Sequence, residues 1–174
     1  HYVMFCTKNG ILLIVDDIQV GCARTGTFFS FERAGIIPDV VCLSKSIGGY
    51  GMPFALTLIK PEIDCFDPGE HNGTFRGNQV AMVASKAGIE FMLENKVEDM
   101  AKAKGEIISA YLNKRLSGTG LPIRGIGCIW GVDMGCSDKS LAVVRKAFSN
   151  GVFPCYERPG DRSDTSWGVL SAWA

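Results

Sequence analysis

Histidine is almost missing. His1 and His71 are the only two in 174 residues, and their spacing offers no partners for a zinc site. Cysteine is present but unorganised: Cys6, Cys22, Cys42, Cys65, Cys128, Cys136 and Cys155 make an odd set with no C-x-x-C. Several lie inside apolar runs, where a thiol behaves as a small buried hydrophobe. That argues against a disulfide framework and for a reducing, cytoplasmic setting. Net charge is also lacking. Eighteen Lys and Arg balance eighteen Asp and Glu, so no bulk field draws the chain to nucleic acid or to an acidic membrane. No apolar run is long enough to span a bilayer. The opening HYVMFCTKNG has no basic n-region, no apolar h-region and no initiator Met. It reads as the interior of a longer protein.

What remains is a globular composition, 47% hydrophobic, long enough for one domain or one domain and part of another. Residues 11–15, ILLIV, are a continuous aliphatic run of the kind found in a parallel strand buried on both faces. Two acids follow, Asp16 and Asp17. Residues 21–26 read as a loop, and 27–34 as a short helix stopped near Gly35 and Pro38. Residues 40–43 are a second buried strand and 54–59 a third apolar segment. Strands joined by longer connections indicate an α/β sheet. Residues 67–78, DPGEHNGTFRGN, are a polar loop. A helix from an Asn78 cap to about Glu94 is predicted, with Val80, Val83, Ala84, Ala87 and Phe91 on one face. A second helix covers about 97–116. Residues 123–134 suggest one or two strands around Gly125 and Gly127, 140–149 a helix capped by Ser137 or Asp138, and 152–155 another strand. A domain boundary is placed near 118–122, and 157–174 reads as an irregular tail.

Five side chains in this frame could do chemistry. Lys45 follows a buried strand and precedes Gly48-Gly49-Tyr50-Gly51. Desolvation there would lower its pKa and free a neutral amine for attack on a carbonyl; the alternative is a solvated surface lysine. Asp16 and Asp17 end a buried strand, where open α/β sheets bind ligands. A carboxylate at that place can hold a pyridine nitrogen in its protonated form. It could equally cap the next loop, or mark the magnesium-binding strand of an ATPase. Gln19 could donate to a phenolic oxygen on the same ring. Thr74 lies just before a helix, where a hydroxyl and unpaired N–H groups suit a phosphate; the alternative is an ordinary glycine-rich connection. His71 reads as structural, and Arg76 as a partner for an acid or an anion. The glycines of GIGCIWG (125–131) have the wrong spacing for a dinucleotide fingerprint and read as strand and bend.

Together, VDDIQVGCARTG (15–26), LSKSIGGYGMP (43–53) and HNGTFRGN (71–78) resemble, in order and spacing, the signature of the class III pyridoxal-phosphate aminotransferases. The resemblance covers about residues 10–155. It implies an α/β fold: part of the large domain of a fold-type I enzyme, a mostly parallel sheet with helices on both faces, in 1–120, and the start of a small α/β C-terminal domain in 121–156. It implies pyridoxal 5'-phosphate as cofactor, no metal, and a homodimer. By position, Lys45 matches the lysine that holds the cofactor covalently and later shuttles a proton. Asp16 matches the acid paired with the pyridine nitrogen, Ile18 the apolar residue against one ring face, and Gln19 the residue near the phenolic oxygen. Thr74 matches the threonine that binds the cofactor phosphate across the dimer interface. Asp17 stands where many members have Glu. The partners implied are an amino donor and a keto-acid or aldehyde acceptor.

The DDIQ form and the HNGTFRGN loop are similar to a subgroup that transfers the amino group of glutamate to aspartate semialdehyde, the opening step of ectoine synthesis. Another ω-aminotransferase of the class is the alternative. The family's phosphate-cupping glycine loop and ring-stacking aromatic precede the first residue. The substrate-gripping arginine is not recognisable, and SWGVLSAWA departs from the family's C-terminus. The isolated chain is therefore expected to be an inactive internal fragment.

Overall fold

The computed structural model describes residues 2–49, 51–157 and 167–171. Contacts divide the chain into two units: His1–Ala23 with Thr27–Glu98, and Arg24–Gly26 with Asp99–Ala174.

The first unit opens with α1 (Tyr2–Lys8) and continues through β1 (Ile14–Asp16), β2 (Val40–Leu43) and β3 (Leu56–Ile59) to α2 (Gln79–Glu94). The sheet order is β1-β2-β3. β1 and β2 are parallel, with Ile14 opposite Val40 and Asp16 opposite Cys42. β2 and β3 are antiparallel, with Cys42 opposite Thr57. β2 forms where the sequence places it. β1 is shorter than the aliphatic run, and the expectation that this run is buried on both faces fails: Ile11, Leu12 and Ile14 are exposed. The reason is positional, because among the described residues β1 is an edge strand, paired to β2 alone. Its outer end is still anchored. The Asp39 carboxylate accepts from the Leu13 N–H at 2.8 Å and from Lys60 Nζ at 2.8 Å. That backbone hydrogen bond, and then the Lys60 ammonium, hold the Asp39 carboxyl below its ordinary value.

One face of the sheet carries the core. Val41 and Leu43 are buried with Cys22 and Ile47, and Phe28, Phe29, Phe31, Phe54, Leu56, Ile89 and Met92 pack around them. The short helix expected over 27–34 forms as a 3-10 turn, Ser30–Ala34, closed by Gly35 at φ 61°. α2 starts at its predicted cap, with Asn78 Oδ1 accepting from the Ala81 N–H at 3.1 Å. Its packed face shares only Ala84 with the predicted one. Ala81 and Ser85 are buried, whereas Val80, Val83 and Phe91 stand 60–68% exposed. Small side chains face inward over residues 81–88 because α2 meets the Gly49 turn there, while Ile89 and Met92 reach the core further along.

The second unit contains α3 (Val97–Arg115), β4 (Ile123–Ile126), β5 (Ile129–Asp133), α4 (Ser137–Ser149), β6 (Cys155–Glu157) and β7 (Trp167–Ser171). Its antiparallel sheet runs β4-β5-β7-β6. The division falls ahead of the 118–122 stretch because α3 packs within this unit: a Cβ on Gly105 would lie 2.8 Å from Gly127. GIGCIWG is the expected strand and bend. A Cβ on Gly125 would lie 2.4 Å from the Trp130 ring, and the Trp130 indole N–H donates to the Gly127 carbonyl at 2.8 Å. α4 begins after Cys136 with no side-chain cap, so neither Ser137 nor Asp138 caps it. The expected irregular tail supplies β7, which pairs with β5 and β6; its residues 158–166 and 172–174 lie outside the described residues. Among the described residues no helix is long and apolar enough to cross a membrane, and no cluster of three metal-ligating side chains occurs.

Candidate active site

The site is built on the carboxyl ends of two parallel strands. In a strand, consecutive side chains point to opposite faces. Asp16 is accordingly exposed while Asp17 is buried on the core side. Asp16 lies in register with Cys42, and Lys45 follows three residues later, so carboxylate and amine leave the same end of adjacent strands. Neighbouring strands lie about 4.8 Å apart. That end is where open α/β sheets take ligands.

Lys45 opens a 3-10 turn, Lys45–Gly48, at φ 53°. A non-glycine residue in the left-handed region costs about 1–3 kcal/mol, and such strain gathers at functional sites. The turn is held against α2. Gly49 has φ 66°, and a Cβ there would sit 2.5 Å from the Ala84 carbonyl oxygen; one on Gly88 would sit 3.1 Å from Gly49 Cα. Helix and turn thus meet backbone to backbone. Gly49→Ala should lower stability by about 1–3 kcal/mol and weaken cofactor binding by displacing Lys45. Urea unfolding and a cofactor titration of the full-length protein check both effects.

Asp16 Oδ1 accepts from the Ile18 N–H at 3.0 Å, a local turn that orients the carboxylate. The capping alternative is therefore realised as well. Ile18 and Gln19 follow on the same turn, both half-buried. Lys45 itself is exposed, so the expected desolvation is not produced by the described residues. Thr74 lies in a solvent-exposed loop. Every residue from 64 to 80 is exposed, and Phe75 is 91% exposed. At the start of α2 Asn78 already takes one of the free N–H groups that a phosphate would use. Sequence reading missed Ser30, which donates to Asp17, and the Gly49–Ala84–Gly88 contact; a lone serine between phenylalanines gives no spacing signal, whereas a glycine inside a helix does.

The model for "Aminotransferase class-III" matches residues 3–159. The chain belongs to the class-III aminotransferases. It is 49% identical over 155 residues to a diaminobutyrate–2-oxoglutarate transaminase of Nocardia farcinica, covering 87% of this chain and 35% of that protein. A protein of the same name from Sporosarcina pasteurii is 49% identical over 158 residues, covering 84% and 36%. The chain thus spans about a third of the length of these relatives. The fold resembles that of a Bacillus anthracis aminotransferase, with TM-score 0.86 and 24% identity over 97% of this chain and 41% of that one. It also resembles the ornithine aminotransferase of Toxoplasma gondii, with TM-score 0.82, 27% identity and 97% and 40% coverage. Family membership sets aside the ATPase alternative for ILLIVDD.

Membership in this class implies pyridoxal 5'-phosphate as cofactor, and the donor set fits it. Asp16 could supply a carboxylate for a pyridinium nitrogen, Lys45 an amine for an aldehyde, Gln19 an amide donor for a phenolic oxygen, and Ile18 an apolar side chain for a ring face. All four extend from the ends of β1 and β2.

Proposed function

We propose that this chain is the cofactor-anchoring part of a transaminase that moves the amino group of glutamate to the aldehyde of aspartate semialdehyde, giving 2,4-diaminobutyrate and 2-oxoglutarate. The observation that carries the transaminase reading is the parallel register of β1 and β2, which presents Asp16 and Lys45 at one sheet end. The substrate pair is supported by several relatives at 44–49% identity that carry the name diaminobutyrate–2-oxoglutarate transaminase. The place at the start of ectoine synthesis rests on the DDIQ and HNGTFRGN stretches.

When bound, the cofactor would supply an electron sink for chemistry at the substrate Cα. The side chains of this chain would supply the rest. Asp16 would pair with the ring nitrogen and keep it protonated. Ile18 would pack on a ring face, and Gln19 would donate to the phenolic oxygen. Lys45 Nζ would hold the cofactor and serve as general base toward the proton on the substrate Cα. Thr74 binds the phosphate from the neighbouring subunit of a homodimer, consistent with its exposure within one chain. A cytoplasmic location fits the six free cysteines among the described residues.

Borohydride treatment of the full-length protein with pyridoxal phosphate should fix the label on the peptide containing Lys45. Magnesium-dependent nucleotide binding with no label would overturn the reading. Transfer to a different terminal aldehyde, with aspartate semialdehyde inert, would move the protein to another ω-aminotransferase. Thr74→Ala should raise the cofactor dissociation constant by about 10–150-fold, since a hydrogen bond to a charged group contributes about 1.5–3 kcal/mol. Equilibrium dialysis of the cofactor checks it.

A further inference from the structure

Asp17 is the most unusual buried group of the first unit. It is 1% exposed, and its carboxylate is met by neutral donors. Ser30 donates twice, through its N–H to Asp17 Oδ2 at 2.9 Å and through its hydroxyl to Oδ1 in a short hydrogen bond. The backbone of Asp17 is equally engaged. Its N–H donates to the Cys42 carbonyl at 2.9 Å, one residue past the β1–β2 ladder, and its carbonyl accepts from the Gly21 N–H at 2.9 Å. The turn closes tightly on it: a Cβ at Gly21 would lie 2.9 Å from the Asp17 carbonyl oxygen and 3.0 Å from Oδ2.

Burying a carboxylate is costly unless donors surround it, and an apolar side chain would fill the same space without that cost. The carboxylate does what an apolar side chain cannot. It ties the end of β1 to the first residue of the Ser30–Ala34 turn, on the face opposite the cofactor-binding one. Its chain neighbours are Asp16 and Ile18, and Asp16 is itself oriented by the Ile18 N–H. Any rotation of the strand end about its axis would therefore move Asp16, Ile18 and Gln19 together.

We propose that Asp17, held by Ser30, is a positioning residue for the cofactor site: it fixes the orientation of the Asp16–Ile18–Gln19 turn from the core side. The inference rests on the transaminase reading above. Wild-type protein that fails to bind pyridoxal phosphate sinks that reading, whereas variants that bind like wild type sink only this one.

The test uses the full-length enzyme with Asp17→Asn, Ser30→Ala and Ser30→Thr. Asp17→Asn removes the charge, and the Ser30 hydroxyl must turn from donor to acceptor to meet the amide NH2. The variant's dissociation constant for pyridoxal phosphate should rise by about tenfold, the change that about 1.4 kcal/mol of lost positioning produces. The pH midpoint of the cofactor absorbance band should shift too, because Asp16 no longer faces the ring nitrogen squarely. Ser30→Ala should move both readouts in the same direction, and Ser30→Thr, which keeps the hydroxyl and the N–H, should restore them. Unchanged affinity and an unchanged midpoint in Asp17→Asn and Ser30→Ala overturn the proposal. So does Ser30→Thr behaving like Ser30→Ala. If Asp17→Asn does not fold, the two Ser30 variants decide by the same readouts.

Discussion

Lys45→Ala in the full-length protein is expected to abolish covalent retention of pyridoxal phosphate and to reduce transamination by at least about 10²–10⁴-fold, the usual contribution of a positioned general base. Two functions end with one amine. The cofactor loses its covalent attachment, so its visible absorbance band should vanish and borohydride should fix nothing. The substrate Cα also loses its proton acceptor. The fold should survive, because Lys45 is exposed and Ala inherits the same backbone conformation. Unfolding free energy should stay within about 0.5 kcal/mol, as for surface substitutions generally. Lys45→Gly should lose activity equally while gaining stability, since glycine removes the strain of φ 53°. A retained absorbance band in Lys45→Ala would refute the assignment of this lysine.

Asp16→Asn is the second large effect. A carboxylate beside a protonated ring nitrogen favours the charged form by about 1–3 pKa units, which corresponds to about 1.4–4 kcal/mol. If that stabilisation is lost from the transition state, the rate falls by about 10–1000-fold. The Asn side chain can still accept from the Ile18 N–H that Asp16 engages, so the local turn should persist. Affinity for the cofactor should therefore fall less than the rate, a split that single-turnover kinetics and cofactor titration separate. A near-normal rate would leave Asp16 as a loop cap and nothing more.

The contrast between β1 and β2 shows how far the sequence could be read. Both are short aliphatic runs, and β2 appears over the predicted residues because it is flanked by partners on both sides. β1 shrinks to three residues with Ile11 and Leu12 left exposed, since burial requires a neighbour and the described chain gives it one only on one side. α2 makes the same point about faces. Helical periodicity located the element and its Asn78 cap but chose the face of Val80, Val83, Ala84, Ala87 and Phe91, of which only Ala84 packs. The packed face is Ala81, Ala84, Ser85 and Gly88, selected by how closely the backbone of Gly49 approaches. Hydrophobic patterning ranks side chains by their affinity for the interior; it carries no information on the distance between two backbones.

By itself the sequence determined the family, through three motifs whose order and spacing match it, and with the family the cofactor and the identity of Asp16, Ile18, Gln19, Lys45 and Thr74 as candidates. Local chemistry sufficed for this, because a residue type at the end of a short aliphatic run is legible without knowing what packs on it. The tertiary structure alone decided that Asp16 and Lys45 leave one end of a parallel pair, that Asp17 turns inward onto Ser30, and that Thr74 stands exposed within a single chain. These depend on register and on contacts between segments far apart in sequence, and such pairings are set by the packing of the whole unit.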